Sequence, residues 1–445
     1  MELSIVGTGY VGLVTGVCLA EKGYGVVCVD VDENKVNQIS AGKTPIYEPG
    51  LAELVEQNVA DGRLRATTDL EQAVHESDLT LIAVGTPFDG NRIDLTFVRK
   101  CAAQIGAALR VKSTYHVVVV KSTVVPGTTD GVVRPILETE SGKRAGPDFG
   151  LGMNPEFLSE GEAVHDFMQP DRIVLGGIDE RTQESLATVY LSFKGVPVLR
   201  TSNKTAEMIK YVSNALLATL ISFSNEIGNL CSDLGGVDCV DVMEGVHLSQ
   251  YLMPVTENGR VRAPIASFVA AGCGFGGSCL PKDVKALIAC GNGVEGRMGL
   301  LKEVIRINED QPRRMIELLK ERVADLRAVS VAVLGLAFKP ETDDLRESPA
   351  IRLIDLLLKE GAQVLVYDPV AMPAARKAFP DWHITYCESL EQAVRRASAL
   401  VLVTSWKEFE GLPGLMTRLG RHPVLVDSRR QLDKHKVKNY LGTGL

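Results

Sequence analysis

Ser4-Ile-Val-Gly7-Thr-Gly9-Tyr10-Val11-Gly12 lies at the head of the chain and decides its fold. An apolar run, Leu3–Val6, precedes the glycines and a helical pattern, Gly12–Lys22, follows, so they fall in a strand-to-helix turn. There Gly7 permits a tight turn, Gly9 lets a ligand approach the backbone, and Gly12 lets helix and strand pack closely. The N–H groups at the start of such a helix, with Tyr10 and Val11 among its first residues, suit a pyrophosphate. Asp30 stands 18 residues beyond Gly12, at the end of the next apolar run, Val26–Val29. A carboxylate there binds both hydroxyls of a ribose and repels a 2′-phosphate, which favours NAD over NADP.

Outward from this turn, further apolar runs at Leu79–Val84 and His116–Val120 alternate with helical patterns at Asp32–Ala41 and Asp94–Leu109. Such alternation predicts βαβ units on a parallel sheet, closed by Arg172–Leu175 near residue 200. Ala206, Ile209, Val212, Leu216, Leu220, Phe223 and Ile227 then recur at helical spacing and predict one long helix from Asn203 to Leu234. Leu252–Ala271, with its prolines, glycines and charges, reads as a loop or lid. A second α/β block begins near Val329, with strands at Val331–Leu336, Val364–Tyr367, Leu400–Val403 and Val424–Val426. It too has a strand ending in an aspartate, Asp368, but carries Gly335-Leu-Ala-Phe-Lys in place of the glycine fingerprint. The fold repeats and the dinucleotide site does not. The expected architecture is α/β, two Rossmann-like doubly wound parallel-sheet domains joined by a long central helix. Its expected divisions are a dinucleotide domain (1–200), a central helical domain (201–328) and a C-terminal Rossmann-like domain (329–445).

A formal charge of −8 argues against nucleic acid or an anionic membrane as the main partner. No apolar run approaches the roughly 20 residues that span a bilayer, and the Met-Glu start shows no basic leader. Nine cysteines, an odd number without framework spacing, predict reduced thiols and a cytoplasmic protein. The seven histidines are dispersed and form no H-x-x-x-H pair, nor is there a C-x-x-C, so no metal is expected. No P-loop pattern supports phosphoryl transfer.

One thiol stands apart, in Gly274-Phe-Gly-Gly-Ser-Cys279-Leu-Pro-Lys282-Asp283. Glycines let a loop close over a ligand, and Pro281 marks the first turn of a helix beginning at Cys279. A helix N-terminus and a neighbouring lysine favour thiolate, so Cys279 is expected to be reactive. Cys18, Cys28, Cys101, Cys231 and Cys290 fall on apolar faces and read as inert. A nucleophilic thiol beside a nicotinamide site implies a four-electron oxidation: alcohol to aldehyde, thiohemiacetal to thioester, thioester to carboxylate.

These residues resemble the UDP-glucose/GDP-mannose dehydrogenase family. The match runs nearly end to end, through Gly7–Gly12, Val84-Gly-Thr-Pro87, Lys121-Ser-Thr-Val, Asn154-Pro-Glu-Phe-Leu158, Gly274–Asp283 and Phe338-Lys-Pro-Glu-Thr-Asp-Asp-Leu-Arg-Glu-Ser-Pro349. The resemblance implies that Cys279 is the nucleophile and that Lys210 and Asn214, one helical turn apart, stabilise a developing oxyanion. It gives Asp283 the positioning of water, Glu156 acid/base work in the thioester steps, and Thr123 a hydroxyl for water or a proton. Glu160, Thr86, Thr123, Lys282 and Arg346 correspond to cofactor contacts, and Lys35 joins Asp30 at the adenosine ribose. Substrate contacts fall on Glu156, Phe157, Leu158, Lys210, Asn214, Phe275, Gly276, Phe338, Lys339 and Arg429. An arginine from a neighbouring subunit, Arg262 or Arg260, is implied at the substrate diphosphate, and with it a homodimer.

The expected substrate is UDP-glucose, with GDP-mannose and dTDP-glucose as alternatives because no residue type here selects the base. Relatives acting on N-acetylated sugars carry Gly-Gly-His-Cys, and Ser278 argues against them. A two-electron β-hydroxyacid dehydrogenase, or a nucleotide-sugar sensor without activity, are the readings outside this chemistry.

Overall fold

A computed structural model describes residues 1–257, 259–294 and 296–445. Contacts divide the chain into two units, Met1–Ser213 with Ala289–Glu295, and Asn214–Ile288 with Gly296–Leu445.

The first unit is built on an eight-stranded sheet of β1 (Glu2–Val6), β2 (Gly25–Val29), β3 (Leu64–Thr67), β4 (Leu79–Ile82), β5 (Val117–Val120), β6 (Gly150–Met153), β7 (Ile173–Gly177) and β8 (Val198–Thr201). The order is β3-β2-β1-β4-β5-β6-β7-β8, parallel except where β7 runs antiparallel to β6. Both faces are covered, which is why β5 is an unbroken run of valines. Val117 and Val119 join the layer containing Leu13 and Val17, whereas Val118 and Val120 join the layer containing Val98 and Ile105. Strand order reverses at β1/β4, and the carboxyl ends of β1, β2, β4, β5 and β6 lead into Gly7, Asp30, Thr86, Thr123 and Glu156 respectively. Ligands of open α/β sheets bind at such a crevice.

The sequence reading placed most of these strands to within two residues, but passed over β3, β6 and β8. A helix spans Asn203–Leu234, as expected. In the second unit, Leu252–Ala271 is not wholly irregular. It holds a small hairpin, β9 (Val255–Thr256) with β10 (Gly259–Arg260), and a 3₁₀ turn, Pro264–Phe268.

The second sheet comprises β11 (Ser330–Leu334), β12 (Gln363–Tyr367), β13 (Thr385–Tyr386), β14 (Ala399–Leu402), β15 (Val424–Asp427) and β16 (Tyr440–Gly442). All its pairings are parallel, in the order β13-β12-β11-β14-β15-β16. This repeats the order of the first six strands. The turn after β11 differs from its counterpart, however. Asp368 is buried and filled from within the protein: it accepts the Leu336, Ala337, Val370 and Ala371 N–H groups and the Trp406 indole at 2.7–3.1 Å. A carboxylate with five protein donors has little capacity left for a ribose.

Candidate active site

The dinucleotide turn is fixed by contacts that leave one side open. Gly7 has φ +98°, and its N–H donates to Val29 O at 2.7 Å. A Cβ on Gly12 would lie 1.8 Å from Gly7 O, whereas one on Gly9 would meet nothing within 4 Å. The helix Tyr10–Glu21 starts without a side-chain cap, so its first-turn N–H groups remain for an anion. Asp30 accepts the Thr8 N–H at 2.8 Å and the Thr8 hydroxyl at 2.6 Å on Oδ2, and the Asp32 N–H at 3.0 Å on Oδ1. Burial raises the Asp30 pKa, but these donors and Lys35, 3.9 Å away, outweigh it and hold the carboxyl below its ordinary range. The cradle fits a dinucleotide with a free ribose 2′-hydroxyl.

Tyr10 has a further partner that the sequence did not signal. Its hydroxyl is hydrogen-bonded to the buried Glu48, whose two oxygens also accept the Gly161 and Ala163 N–H groups at 2.7 Å. The bend carrying Glu160 is thereby tied to the fingerprint helix. No local pattern could pair residue 48 with residue 161.

At the ends of β4, β5 and β6 the loops are laced together. The Thr86 hydroxyl donates to Thr123 O at 2.7 Å, and the Ser122 hydroxyl to Val84 O at 2.7 Å. Glu156 and Lys210 form a buried ion pair, Nζ to Oε1 at 2.9 Å, and the second Glu156 oxygen accepts the Leu158 N–H at 2.6 Å. Burial alone would raise the Glu156 pKa; Lys210 and the Leu158 N–H reverse that and keep it below the usual carboxylate range. Phe157 lies under the Arg172 guanidinium at 3.8 Å, with the Lys210 ammonium 5.6 Å from the same ring. Lys121, also buried, donates to Asn154 at 2.9 Å, and burial pushes its pKa down to about 8. Lys121, Asn154, Glu156, Phe157, Leu158 and Arg172 are among the residues lining a cavity of about 280 Å³.

In the second unit Cys279 immediately precedes the helix Leu280–Asn292, and its carbonyl accepts the Asp283 N–H at 2.8 Å. Asp283 is buried, with Oδ2 accepting the Asn214 amide at 2.6 Å and Oδ1 accepting the Lys282 ammonium at 2.5 Å. The lysine beside the thiol thus has its ammonium on Asp283. None of the nine cysteines is in a disulfide; Cys279 and Cys290 are partly exposed and the other seven are buried. Burial pushes Cys18, Cys28 and Cys273 up to about 12 and Cys101 and Cys239 up to about 11, which makes them inert. Cys290 is half-buried, where an apolar face predicted full burial.

The loop before Cys279 brings several expected substrate contacts together. Phe338 packs so closely that a Cβ on Gly277 would lie 2.8 Å from its ring, and the Lys339 ammonium stands 5.9 Å from that ring. Gly277 donates its N–H to Arg346 O at 2.9 Å. Arg429 donates to Val403 O at 2.6 Å and Gly274 O at 3.3 Å, so part of its guanidinium braces the loop. Arg262 lies on the segment after β10, with Nη2 against the buried His247 Nδ1 at 2.8 Å.

The chain matches the NAD-binding domain of the UDP-glucose/GDP-mannose dehydrogenase family over residues 1–194, its central domain over 204–310 and its UDP-binding domain over 332–434. It belongs to that family. A UDP-glucose 6-dehydrogenase of Haloferax volcanii is 44% identical over 445 residues, 99% of each chain. A GDP-mannose 6-dehydrogenase of Pseudomonas putida is 40% identical, covering 93% of each. The solved UDP-glucose dehydrogenase of Pyrobaculum islandicum superposes with a TM-score of 0.90 at 41% identity, covering 100% of this chain and 97% of that one.

As a UDP-glucose/GDP-mannose dehydrogenase the chain is an NAD-dependent oxidoreductase of nucleotide sugars. Its two Rossmann-like sheets divide the ligands accordingly, the open cradle of Gly9 and Asp30 in the NAD-binding domain and the filled Asp368 turn in the UDP-binding domain. Among the residues the motifs missed are Thr8, Glu48 and Asn225, each acting on a backbone group or side chain of the site. Thr8 was within reach of sequence reasoning, since a hydroxyl inside the fingerprint faces the acid that follows the next strand.

Proposed function

We propose that the protein is a UDP-glucose 6-dehydrogenase that makes UDP-glucuronate through a thioester on Cys279. The observation that carries this reading is the placement of Cys279 against a helix start whose Asp283 is held by Asn214. In a two-electron dehydrogenase neither the thiol nor this aspartate has a task. Bound NAD⁺ supplies the hydride acceptor for each oxidation. Thr123 and Glu156 manage the proton of the C6 hydroxyl as the alcohol becomes an aldehyde. The Cys279 sulfur adds to the aldehyde carbon, a C–S bond forms, and the carbonyl oxygen gathers charge that Lys210 and Asn214 offset. Loss of a second hydride leaves the thioester. Water positioned by Asp283 attacks the acyl carbon, the C–S bond breaks, and Cys279 departs as thiolate. One water and two NAD⁺ are consumed for each carboxylate, two NADH and three protons released.

Lys210 keeps Glu156 in the charged form that a general base needs, while lowering its affinity for the proton. Glu160, Thr86, Lys282 and Arg346 are assigned to the cofactor. Phe157, Leu158, Phe275, Gly276, Phe338, Lys339 and Arg429 are assigned to the sugar nucleotide, with Arg262 reaching its diphosphate in a second subunit. The working divisions remain 1–200, 201–328 and 329–445. A homodimer is supported by an apolar stripe on the helix Asn203–Leu234, where Val212, Leu216, Phe223 and Leu230 are each about half exposed. Their spacing of four and seven residues is that of a helix-pairing seam. Nine cysteines without a disulfide suit a cytoplasmic location; no described helix is long and apolar enough to cross a membrane.

The test is NADH released per sugar nucleotide consumed, on UDP-glucose, dTDP-glucose and GDP-mannose. Two NADH on UDP-glucose is the expected result. Two on GDP-mannose alone would move the base while keeping the chemistry, a reading that the 40% identity to a GDP-mannose enzyme keeps in play. One NADH on any of them would remove Cys279 from the reaction.

A further inference from the structure

The segment Gly272–Cys279 is gripped along its length by side chains from other elements. Asn225, buried on the long helix, accepts the Gly272 N–H at 2.7 Å. Gly274 has φ +98°, and a Cβ there would lie 2.6 Å from the Asn308 side-chain oxygen. That same oxygen accepts the Phe275 N–H at 2.7 Å, while the Asn308 amide donates to Phe275 O at 2.9 Å. A Cβ on Gly276 would lie 2.4 Å from Glu347 O, and the Gly277 N–H is held by Arg346 O. Asn308 is unusual in this set because one side chain satisfies both the donor and the acceptor of one loop residue, as a neighbouring β-strand would. It sits on the helix Gly299–Lys320, with Phe275 itself buried.

We propose that Asn308 is a positioning residue of the thioester chemistry, holding the Phe275 backbone so that the four residues to Cys279 present the sulfur at one fixed point. The inference rests on Cys279 being the nucleophile. A thiol on a glycine-rich segment has many accessible positions, because glycine restricts φ and ψ least. Attack on an aldehyde carbon requires one of them, and displacement by about 1 Å is enough to cost on the order of 100-fold in rate. The hydrogen bonds described for Asn308 run to the Phe275 backbone. Its effect passes through the backbone.

The test compares Asn308→Ala and Asn308→Asp with the unaltered protein and with Cys279→Ser. Asn308→Asp keeps the acceptor for the Phe275 N–H and sets a carboxylate oxygen against Phe275 O, so it separates the two halves of the grip. Three quantities are read: kcat and KM for UDP-glucose, NAD affinity by fluorescence titration, and the rate of Cys279 alkylation by iodoacetamide, followed on the Cys279 peptide. Expected for Asn308→Ala is a fall in kcat of tenfold or more, an alkylation rate changed at least threefold, and unchanged NAD affinity. Asn308→Asp is expected to fold and to show the same changes in kcat and alkylation. Unchanged kcat and alkylation in both variants would overturn the proposal. So would a fall in kcat that only follows the loss of folded protein in a thermal melt. Carboxylate formation by Cys279→Ser would instead sink the thioester reading, a result independent of either Asn308 variant.

Discussion

We propose that cofactor choice turns on Asp30. Its two oxygens already accept three protein donors on the inner side, so the carboxylate is fixed and charged before a ribose arrives. Asp30→Ala is expected to weaken NAD by roughly tenfold or more, since the hydrogen bonds lost are to a charged group, and to relax discrimination against NADP. Steady-state kinetics with both cofactors checks this, and an unchanged preference would remove Asp30 from the site. Cys279→Ala is expected to abolish carboxylate formation with NAD titration unaltered; sustained NADH release over many turnovers by that variant would defeat the thioester. Both residues stand out in the sequence because their settings are local: an acid after a strand, a thiol before a helix. Glu48 and Asn308 do not. Their ligands lie 113 and 33 residues away in the chain, at Gly161 and Phe275, and neither residue type is rare enough to stand out alone.

Individual elements were legible in proportion to their apolar regularity. β5, four valines, and the helix Asn203–Leu234 announce themselves; β6 does not, because alternate positions are glycine. The reason is steric, since a Cβ on Gly150 would lie 2.9 Å from the Thr182 hydroxyl and one on Gly152 2.9 Å from Gly176 O. β3 carries Arg65 amid four residues, and β8 is largely exposed. Within the sheet, Ser4, Thr80 and His116 form a buried polar chain: Ser4 to Thr80 at 2.7 Å, Thr80 to His116 Nε2 at 2.8 Å, and His116 Nδ1 to Ser77 O at 3.1 Å. Burial, then the charge of Lys112, pushes the His116 pKa down to about 3. An unfolded chain titrates this group near 6.5. Between pH 6.5 and about 3 the unfolded state therefore binds a proton that the folded state refuses. The His116 contribution is complete above pH 6.5 and lost as pH falls, by about 2 kcal/mol at pH 5. Urea unfolding at pH 7.5 and 5 should show this loss in the unaltered protein and a smaller one in His116→Gln.

The molecule as a whole depends on contacts that join distant parts of the chain. Asp238 caps the helix Cys239–His247 by accepting the Val240 N–H, and it also receives Arg430 at 2.7 Å and Lys434 at 2.9 Å. Burial opposes its ionisation, but these donors prevail and hold its pKa below the ordinary range, so its contribution is present above about pH 4 and fades as pH falls further. Asp238→Ala should cost about 1–3 kcal/mol at pH 7, read from denaturant midpoints. Assembly is the second property at this scale. Leu216→Glu with Phe223→Glu places two charges in the apolar stripe and should yield a monomer by sedimentation. If Arg262 serves a neighbouring site, the same variant should raise KM for the sugar nucleotide and leave NAD affinity alone; a dimer that survives both charges would overturn the seam. Asn214 and Asn225, finally, are 11 residues apart on the one helix. That is three turns with a residue of about 20°, so both amides point the same way, roughly 16 Å apart. One holds Asp283 and the other Gly272, at either side of the thiol. The helix therefore works as a protractor as well as a ruler: one residue gained or lost between them would swing an amide by about 100°, and no small insertion restores both angle and distance. The spacing of the two amides therefore constrains the length of this stretch of helix.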